Sequence, residues 1–212
     1  MYPDRKTIFP AVSCFLLFCL ASCGDEEKKP APGPVIYKKD TASVNTQPKL
    51  KAPIINIIDT VTMKQSVLVV KDSAANSQLV GEKMAAIFDS ILPKIIKEKK
   101  LTVTGPKMAW YRSSTKPFFF EAGFPVDKAP TGKLPKKVAV KNIPADSAVV
   151  AHFFGPYDLT YQAYEALTEW LKDRKKKRSG AAYEIYIGNM TDDKGKAVDP
   201  YRVQTDIVFP HK

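Results

Sequence analysis

The stretch AYEIYIG places one carboxylate, Glu184, in the middle of a short apolar strand. Acidic residues are depleted in strands and are almost never fully buried without a partner. Glu184 could lie on a solvent-exposed outer face, pair with a cation of the protein, or lie in a cavity that binds a cation from outside. Strand alternation puts Glu184 and Tyr186 on one face and Tyr183, Ile185 and Ile187 on the other. A carboxylate beside a phenol can hold a cation or activate a water.

Few other residue patterns point to chemistry. His152 and His211 are the only histidines, and their spacing is not that of a metal site. His152 is expected to be a structural residue of a strand, and His211 to lie at a frayed C-terminus. The chain has no glycine-rich phosphate loop, Ser/His/Asp arrangement or Cys/His pair. We therefore expect no metal and no cofactor.

The N-terminus carries a targeting signal. Two basic residues precede an apolar stretch over 8–20 that is too short for a stable membrane span. Residues 20–23 read Leu-Ala-Ser-Cys, which resembles the lipobox of bacterial lipoproteins. We therefore expect a signal peptide over 1–22 and a lipid on Cys23. The other two cysteines leave with the signal, so the mature chain would contain no free thiol and no disulfide.

Residues 23–53 are rich in Pro, Lys, Thr and Ala, which favours an extended tether between the lipid and a domain. No Asp directly follows Cys23, and the acidic run after it resembles the export signal of Bacteroidetes surface lipoproteins. We expect a lipid-anchored protein of the cell envelope, in the outer membrane of a Gram-negative, Bacteroidetes-like bacterium. The leaflet stays open.

The formal net charge of +11 raises the question of nucleic acid binding. No zinc-finger, helix-turn-helix or RNP-like motif accompanies that charge. The basic residues cluster in loops and at helix ends, which favours solvated faces with a weak attraction to anionic surfaces. We expect no nucleic acid partner.

Residues 54–212 form the predicted globular domain, and two segments of it share one layout. The first half has strand 65–71, a helix over 77–99 with a kink or stop at Pro93, and strands 107–112 and 118–124. The second half has strand 148–154, a helix from 159 to about 175 with Asp158 as N-cap, and strands 182–187 and 202–209. The apolar stripe of the second helix comprises Tyr164, Leu167, Trp170 and Leu171.

Strand–helix–strand–strand, occurring twice, is an internal duplication. One half alone would leave a sheet face and a helix stripe partly uncovered, so the halves must pack together. The predicted fold is α+β: a duplicated β-α-β-β module forming a two-fold pseudosymmetric antiparallel sheet. Two helices pack on one face of the sheet and leave a groove on the other.

The order of motifs resembles the GyrI-like effector-binding domain of gyrase inhibitory protein and of MerR- and AraC-type regulators. The resemblance spans about 65–210. Four stretches carry it: Glu121 to Val126 (EAGFPV), Gly155 to Asp158 (GPYD) with the helix ending Glu169-Trp170-Leu171, Tyr183 to Tyr186 (YEIY), and Thr205 to Pro210. Two departures are Gly188 to Thr191, where the family has Asp-Pro or Asn-Pro, and Asp206, where Glu is commoner.

The resemblance implies an aromatic groove with a carboxylate on the second-half strand that faces organic cations. By position that carboxylate is Glu184. The apolar set on its strand should face the helices, which aims Glu184 and Tyr186 at the groove. Glu121 could enter the groove or pair with a lysine. The other residues predicted to line the groove are Trp110, Phe119, Tyr157 and Tyr201.

We therefore expect a membrane-tethered protein that binds a small hydrophobic, cationic or aromatic ligand, rather than an enzyme. One alternative is a hydrolase of strained, cyclopropanoid-type electrophiles, with Glu184 as general base and Tyr157 or Tyr186 as acid. The fold also resembles the SOUL haem-binding family, for which His152 is the residue to test. A protein-interaction module is the remaining alternative.

Overall fold

A computed structural model describes residues 51–113 and 115–212. The predicted signal peptide, Cys23 and most of the tether lie outside the described residues. Among the described helices, none has the length and apolar character needed to cross a membrane.

Eight strands and two helical segments make up the domain. The strands are β1 (Ile54–Val61), β2 (Gln65–Ala74), β3 (Lys107–Tyr111), β4 (Phe118–Val126), β5 (Val138–Ile143), β6 (Ser147–Phe154), β7 (Tyr183–Tyr186) and β8 (Gln204–Pro210). The first helical segment consists of α1 (Ser77–Ala86), a π-helical turn (Ile87–Ile91) and α2 (Leu92–Glu98). The second is α3 (Tyr161–Asp173).

The first helical segment runs past Pro93 and does not stop there. Asn76 caps its start, with the side-chain oxygen accepting from the Leu79 amide at 2.9 Å. Proline lacks an N–H and crowds the preceding turn. The backbone absorbs this in the π-helical turn, where the Leu92 amide donates to the Ile87 carbonyl five residues earlier. The helix then continues to Glu98, close to the predicted end.

The start of α3 differs from the prediction. A 3₁₀ turn over Tyr157–Leu159 precedes the helix, so Asp158 belongs to that turn and is not the N-cap. The Thr160 hydroxyl donates to the Tyr157 carbonyl at 2.8 Å and ties the turn to the helix start. Because α3 begins two residues later than predicted, Tyr157 lies in the 3₁₀ turn that precedes the helix.

All eight strands form one antiparallel sheet in the order β1-β6-β8-β7-β3-β4-β2-β5. If β1–β4 are exchanged for β5–β8 and the order is read from the other end, the same order results. The two halves are therefore related by a pseudo-twofold axis between β3 and β7. The predicted duplication therefore extends by one strand in each half. Strand β1 precedes β2 but pairs with β6, whereas β5 precedes β6 but pairs with β2. Each half thus supplies the edge strand of the other.

The sheet is strongly curled. Strands β5 and β6 are six strand spacings apart in the sheet, which would be about 29 Å if the sheet were flat. The connection from Ile143 to Ser147 can span only about 15 Å. The curl brings together one buried set on the helix-free face, the helix-free cluster, formed by Val67, Val69, Met108, Trp110, Ile143, Ala148, Val150, Tyr183 and Val208.

Both helical segments pack on the same face. Strand register places Ala122, Ala109, Glu184 and Ile207 side by side across β4, β3, β7 and β8. Ala122 and Ala109 belong to the core under α1 and α2, and Ile207 belongs to the core under α3. The α+β class and the antiparallel sheet with two helices on one face are thereby confirmed. The two central strands lie in the cleft between the helices.

Candidate functional site

Glu184 lies on the floor of the cleft between the two helical segments and is 2% exposed. Three tyrosine hydroxyls donate to its carboxylate. Tyr157 and Tyr186 reach Oε2, each at 2.8 Å, and Tyr164 of α3 reaches Oε1 at 2.8 Å. The carboxylate is therefore held from its own strand, from the turn after β6 and from the helix above.

A fourth phenol completes what we call the tyrosine cluster, Glu184 with Tyr111, Tyr157, Tyr164 and Tyr186. The Tyr111 hydroxyl oxygen lies 2.9 Å from that of Tyr157 and 3.1 Å from that of Tyr186. A hydroxyl carries one proton, so when both neighbours donate to Glu184, Tyr111 is the donor to one of them. The result is a closed network of phenols around one carboxylate.

The structure overturns the predicted orientation of β7. Glu184 and Tyr186 face the helices, whereas Tyr183 packs on Trp110 across the helix-free face with 5.5 Å between ring centroids. The prediction assumed that only one face of β7 is buried and that the apolar set takes it. Because the sheet curls, both faces of β7 are buried, and alternation alone does not decide which one meets the helices. The cluster thus lies in the inter-helix cleft and not in a groove on the helix-free face.

Burial governs the protonation of the cluster. Desolvation raises the pKa of Glu184, and the hydrogen bonds from Tyr186, Tyr164 and Tyr157 oppose this rise without cancelling it. Burial and then the charge of Glu184 raise the pKa of Tyr111 to about 12. The same two causes raise the pKa of the other three phenols. The tyrosines therefore stay protonated as donors, and Glu184 is the group of the cluster that titrates first.

The accessible member of the cluster is Tyr157, whose residue surface is 44% exposed. Its ring lies 6.4 Å from that of Tyr186, which meets Phe88 of the π-helical turn edge-on at 6.5 Å. A groove of about 430 Å³ runs along α3 beside the cluster. It is lined by Tyr164, Glu165, Thr168 and Glu169. Tyr157 therefore offers the most direct approach from solvent to Glu184.

A larger depression of about 570 Å³ lies elsewhere, between α2 and the sheet edge at β5. Its rim contains the charged residues Asp72, Lys94, Glu98, Lys136 and Lys137. None of the residues predicted for the site lines it. We place the candidate site at the tyrosine cluster because only there, among the described residues, does a buried carboxylate have no lysine, arginine or histidine partner.

Three of the six residues predicted to bind the ligand come together: Glu184, Tyr157 and Tyr186. The other three lie elsewhere. Trp110 is 3% exposed in the helix-free cluster, under the Lys141 ammonium at 4.7 Å. Phe119 is 48% exposed on the helix-free side, two positions from Glu121 on β4. Tyr201 lies in a 3₁₀ turn, and its hydroxyl donates to the Lys51 carbonyl.

The remaining candidates have structural partners. Glu121 lies on the helix-free face with Lys141, Arg112 and Lys71 around it. Burial acts to raise its pKa, but these cations outweigh burial and hold it below the usual range. It thus pairs with a lysine, one of the two predicted outcomes.

The two histidines also make hydrogen bonds. Nδ1 of His152 lies 2.6 Å from an Asp206 oxygen on the helix-free face. His211 is 2% exposed and its Nε2 lies 2.9 Å from Asp59, so the prediction of a frayed C-terminus was wrong. The cause is backbone pairing, in which the His211 amide donates to the Ser147 carbonyl and Lys212 pairs with Lys177, together with the side-chain contact to Asp59 of β1.

Tyr111, Tyr164 and Phe88 were not predicted to belong to the site. Tyr164 was assigned to the packing stripe of α3, and it does pack on Phe209 with 5.7 Å between centroids. Its hydroxyl, however, extends past that contact to Glu184. A tyrosine in an otherwise apolar helix stripe was the available signal, since a buried phenol needs a partner.

The comparisons with known proteins agree with this fold. The first two structures below share 20–21% identity with the chain. The C-terminal domain of EcmrR matches with a TM-score of 0.61 and 20% identity over 75% of this chain and 98% of that one. EcmrR in complex with DNA matches with a TM-score of 0.62 and 21% identity over 74% of this chain. The match spans 57% of that regulator's length.

A conserved protein from Listeria innocua has a TM-score of 0.53 and 11% identity, over 74% of this chain and 92% of that one. No curated protein sequence matches significantly. These structural likenesses show the fold alone. The family is shown by the sequence: residues 82–212 match the GyrI-like small molecule binding domain, more than half of the chain. The protein therefore belongs to the GyrI-like family of small-molecule binding domains.

Proposed function

We propose that the domain binds a small hydrophobic cation at the tyrosine cluster. The observation that carries the proposal is the state of Glu184, which is 2% exposed and whose partners among the described residues are three neutral phenols. An ionised carboxylate in such surroundings is costly unless a cation accompanies it. The ligand would supply that cation.

The surrounding rings support binding of an organic cation over a hydrated metal ion. Tyr186 donates to the carboxylate, and its ring contacts those of Phe88 and Tyr157. A cation over an aromatic face gains about 0.5–2 kcal/mol per ring. Flat, apolar ligand surface adds the free energy of its removal from water. Tyr157 is the ring that would move, because it is the most exposed of the cluster.

The geometry favours binding over hydrolysis. Two phenols donate to Oε2 of Glu184 and a third donates to Oε1, so three of its roughly four lone-pair positions are in use. A general base needs a free position aimed at a water. A carboxylate with three phenol donors, and so with about one free position, serves better as a fixed negative charge.

The test is a calorimetric titration of the domain with tetraphenylphosphonium and with its neutral relative triphenylphosphine oxide. We expect the phosphonium to bind and the oxide to bind at least about 10-fold more weakly. Glu184→Gln should remove this preference, whereas Glu82→Gln, an exposed change of the same charge on α1, should not. Equal binding of the phosphonium by the wild type and Glu184→Gln would refute the role of Glu184.

The Glu184→Gln variant also tests the alternative of hydrolysis. Mass spectrometry of a cyclopropanoid electrophile after incubation with the domain should show it unchanged. Turnover that is lost in Glu184→Gln would replace binding by catalysis as the function of the cluster.

We further propose, from the sequence, that Cys23 is lipidated and tethers the domain to a membrane of the cell envelope. A lipobox-like Leu-Ala-Ser-Cys after an apolar stretch supports this proposal. Mass spectrometry of the N-terminal peptide from cells should detect acyl chains on Cys23, and Cys23→Ala should release the protein from membranes. A mature protein that retains residues 1–22 or a free Cys23 thiol would refute it.

A further inference from the structure

The cleft contains a fixed cation as well as a fixed carboxylate. Lys107 of β3 lies directly opposite Tyr186 of β7, with both side chains on the helix-bearing face. Glu184 is the diagonal neighbour of Lys107 in the same pair of strands, a relation that spans about 7–8 Å. Lys107 therefore borders the floor on which Glu184 lies.

The Lys107 ammonium rests on the aromatic wall of the cleft. Its Nζ lies 5.3 Å from the centroid of Phe88, and the same ring meets Tyr186 edge-on. A ligand cation that uses the outer face of Phe88 would have to displace this resident cation. Lys107 thus limits where in the cleft positive charge can bind.

The lysine is only loosely neutralised. Among the described residues its one carboxylate partner is Asp89, at 3.7 Å, and the Asp89 side chain is 66% exposed. An exposed pair at this distance is weak and is screened by salt. The Lys107 ammonium can therefore turn to an anion in the cleft with little loss.

Glu184 supplies the charge of opposite sign to Lys107, and two further carboxylates lie on the exposed surface of α3. Glu165 and Glu169 of α3 line the groove beside Tyr164. The charge of the site is thus negative at Glu184 and positive at Lys107 of β3. A ligand with a positive charge alone is attracted by Glu184 and repelled by Lys107. A ligand with charges of both signs can satisfy both residues in one orientation.

We infer that the site takes an amphoteric ligand, an aromatic or quaternary cation that also carries a carboxylate, phosphate or sulfonate a few bonds away. The cation lies at Glu184 and the anionic group at Lys107. The inference rests on the proposed cation site. It adds the ligand class and makes Lys107 the specificity-determining residue for the anionic end.

The experiment compares two ligands with one skeleton, carboxypropyl-triphenylphosphonium and its methyl ester. Both carry the cation, and only the acid carries the anion. We expect the wild type to bind the acid about fivefold more tightly than the ester. Lys107→Met should abolish this preference by weakening the acid and not the ester. Lys97→Met, an exposed change of the same charge on α2, should leave the preference intact.

Each outcome has one meaning. If neither ligand binds, the proposed cation site is wrong. If both bind equally, in the wild type and in Lys107→Met, the cation site stands and the amphoteric ligand is refuted. A wild type that prefers the ester refutes it as well. Loss of the preference in Lys97→Met to the same degree would assign the effect to general charge and not to Lys107.

Discussion

Glu184 and Ala109 lie directly opposite each other on the two central strands of the sheet, one on each side of the pseudo-twofold. The duplication therefore supplies two equivalent floor positions, and only one carries a carboxylate. The other carries a methyl group that is completely buried. Ala109 belongs to the core under α1 and α2, against which Tyr111 and Tyr186 of the tyrosine cluster also pack.

A larger side chain at Ala109 should displace the tyrosine cluster. We expect Ala109→Leu to destabilise the fold by about 1–3 kcal/mol through overpacking, and to weaken tetraphenylphosphonium binding in the molecules that fold. Urea unfolding and titration of the folded protein measure the two effects. Ala86→Leu, at an exposed end of α1, is the matched control. A folded Ala109→Leu protein with undiminished affinity would show that Ala109 contributes no space to the site.

Stability should fall with rising pH because of Glu184. Its pKa is raised on folding, so above the ordinary value of 4.5 the folded protein retains a proton that the unfolded chain releases. The free energy of unfolding, compared with Glu184→Gln, is then highest at acidic pH. It declines by at most about 1.4 kcal/mol per pH unit until the folded carboxyl also ionises.

Denaturation of both proteins across a pH series measures this difference. Taking the difference cancels the titration of all groups that the substitution does not affect. A difference that grows in favour of the wild type as pH rises would contradict burial as the dominant influence on Glu184.

Tyr157→Phe should change the pH dependence of ligand binding. The variant keeps the ring but removes one hydrogen bond that lowers the pKa of Glu184, so the carboxyl should ionise at higher pH. A cation binds the ionised form. We expect about 3- to 10-fold weaker tetraphenylphosphonium binding at acidic pH and little change at alkaline pH. Tyr161→Phe, at a phenol that is 53% exposed, should follow the wild type at every pH.

Much of the fold follows from local pattern. The periodic helices, the two repeats and six of the eight strands were predicted close to their observed bounds. Strands β1 and β5 were not predicted, because they are edge strands with mostly exposed or half-buried residues, and each is held by a strand of the other half. Nothing within Ile54–Val61 or Val138–Ile143 reports that distant partner. Their absence from the prediction also concealed Asp59, the partner of His211.

The site was predicted only in part. Alternation correctly grouped Glu184 with Tyr186, because that relation depends on one strand. Whether this pair lies on the helix-bearing or the helix-free face depends on the curl of the whole sheet. The prediction of the helix-free face was wrong. Tyr164 and Tyr111 reach Glu184 from other elements, so their role depends on how α3 and β3 are placed. Long-range packing decides these contacts.

Gly123 and Gly81 should respond oppositely to the same substitution. A Cβ on Gly123 of β4 would lie 2.3 Å from the Leu68 carbonyl oxygen and 2.8 Å from Cγ1 of Val69, both on the paired strand β2. Backbone atoms in a sheet cannot move aside without breaking the pairing, so Gly123→Ala should cost about 2–3 kcal/mol of stability. Gly81, inside α1, has open space around it, and Gly81→Ala should stabilise by about 0.5–1 kcal/mol. Urea unfolding of both variants measures the contrast, and equal effects would mean that β2 and β4 separate more easily than their register implies.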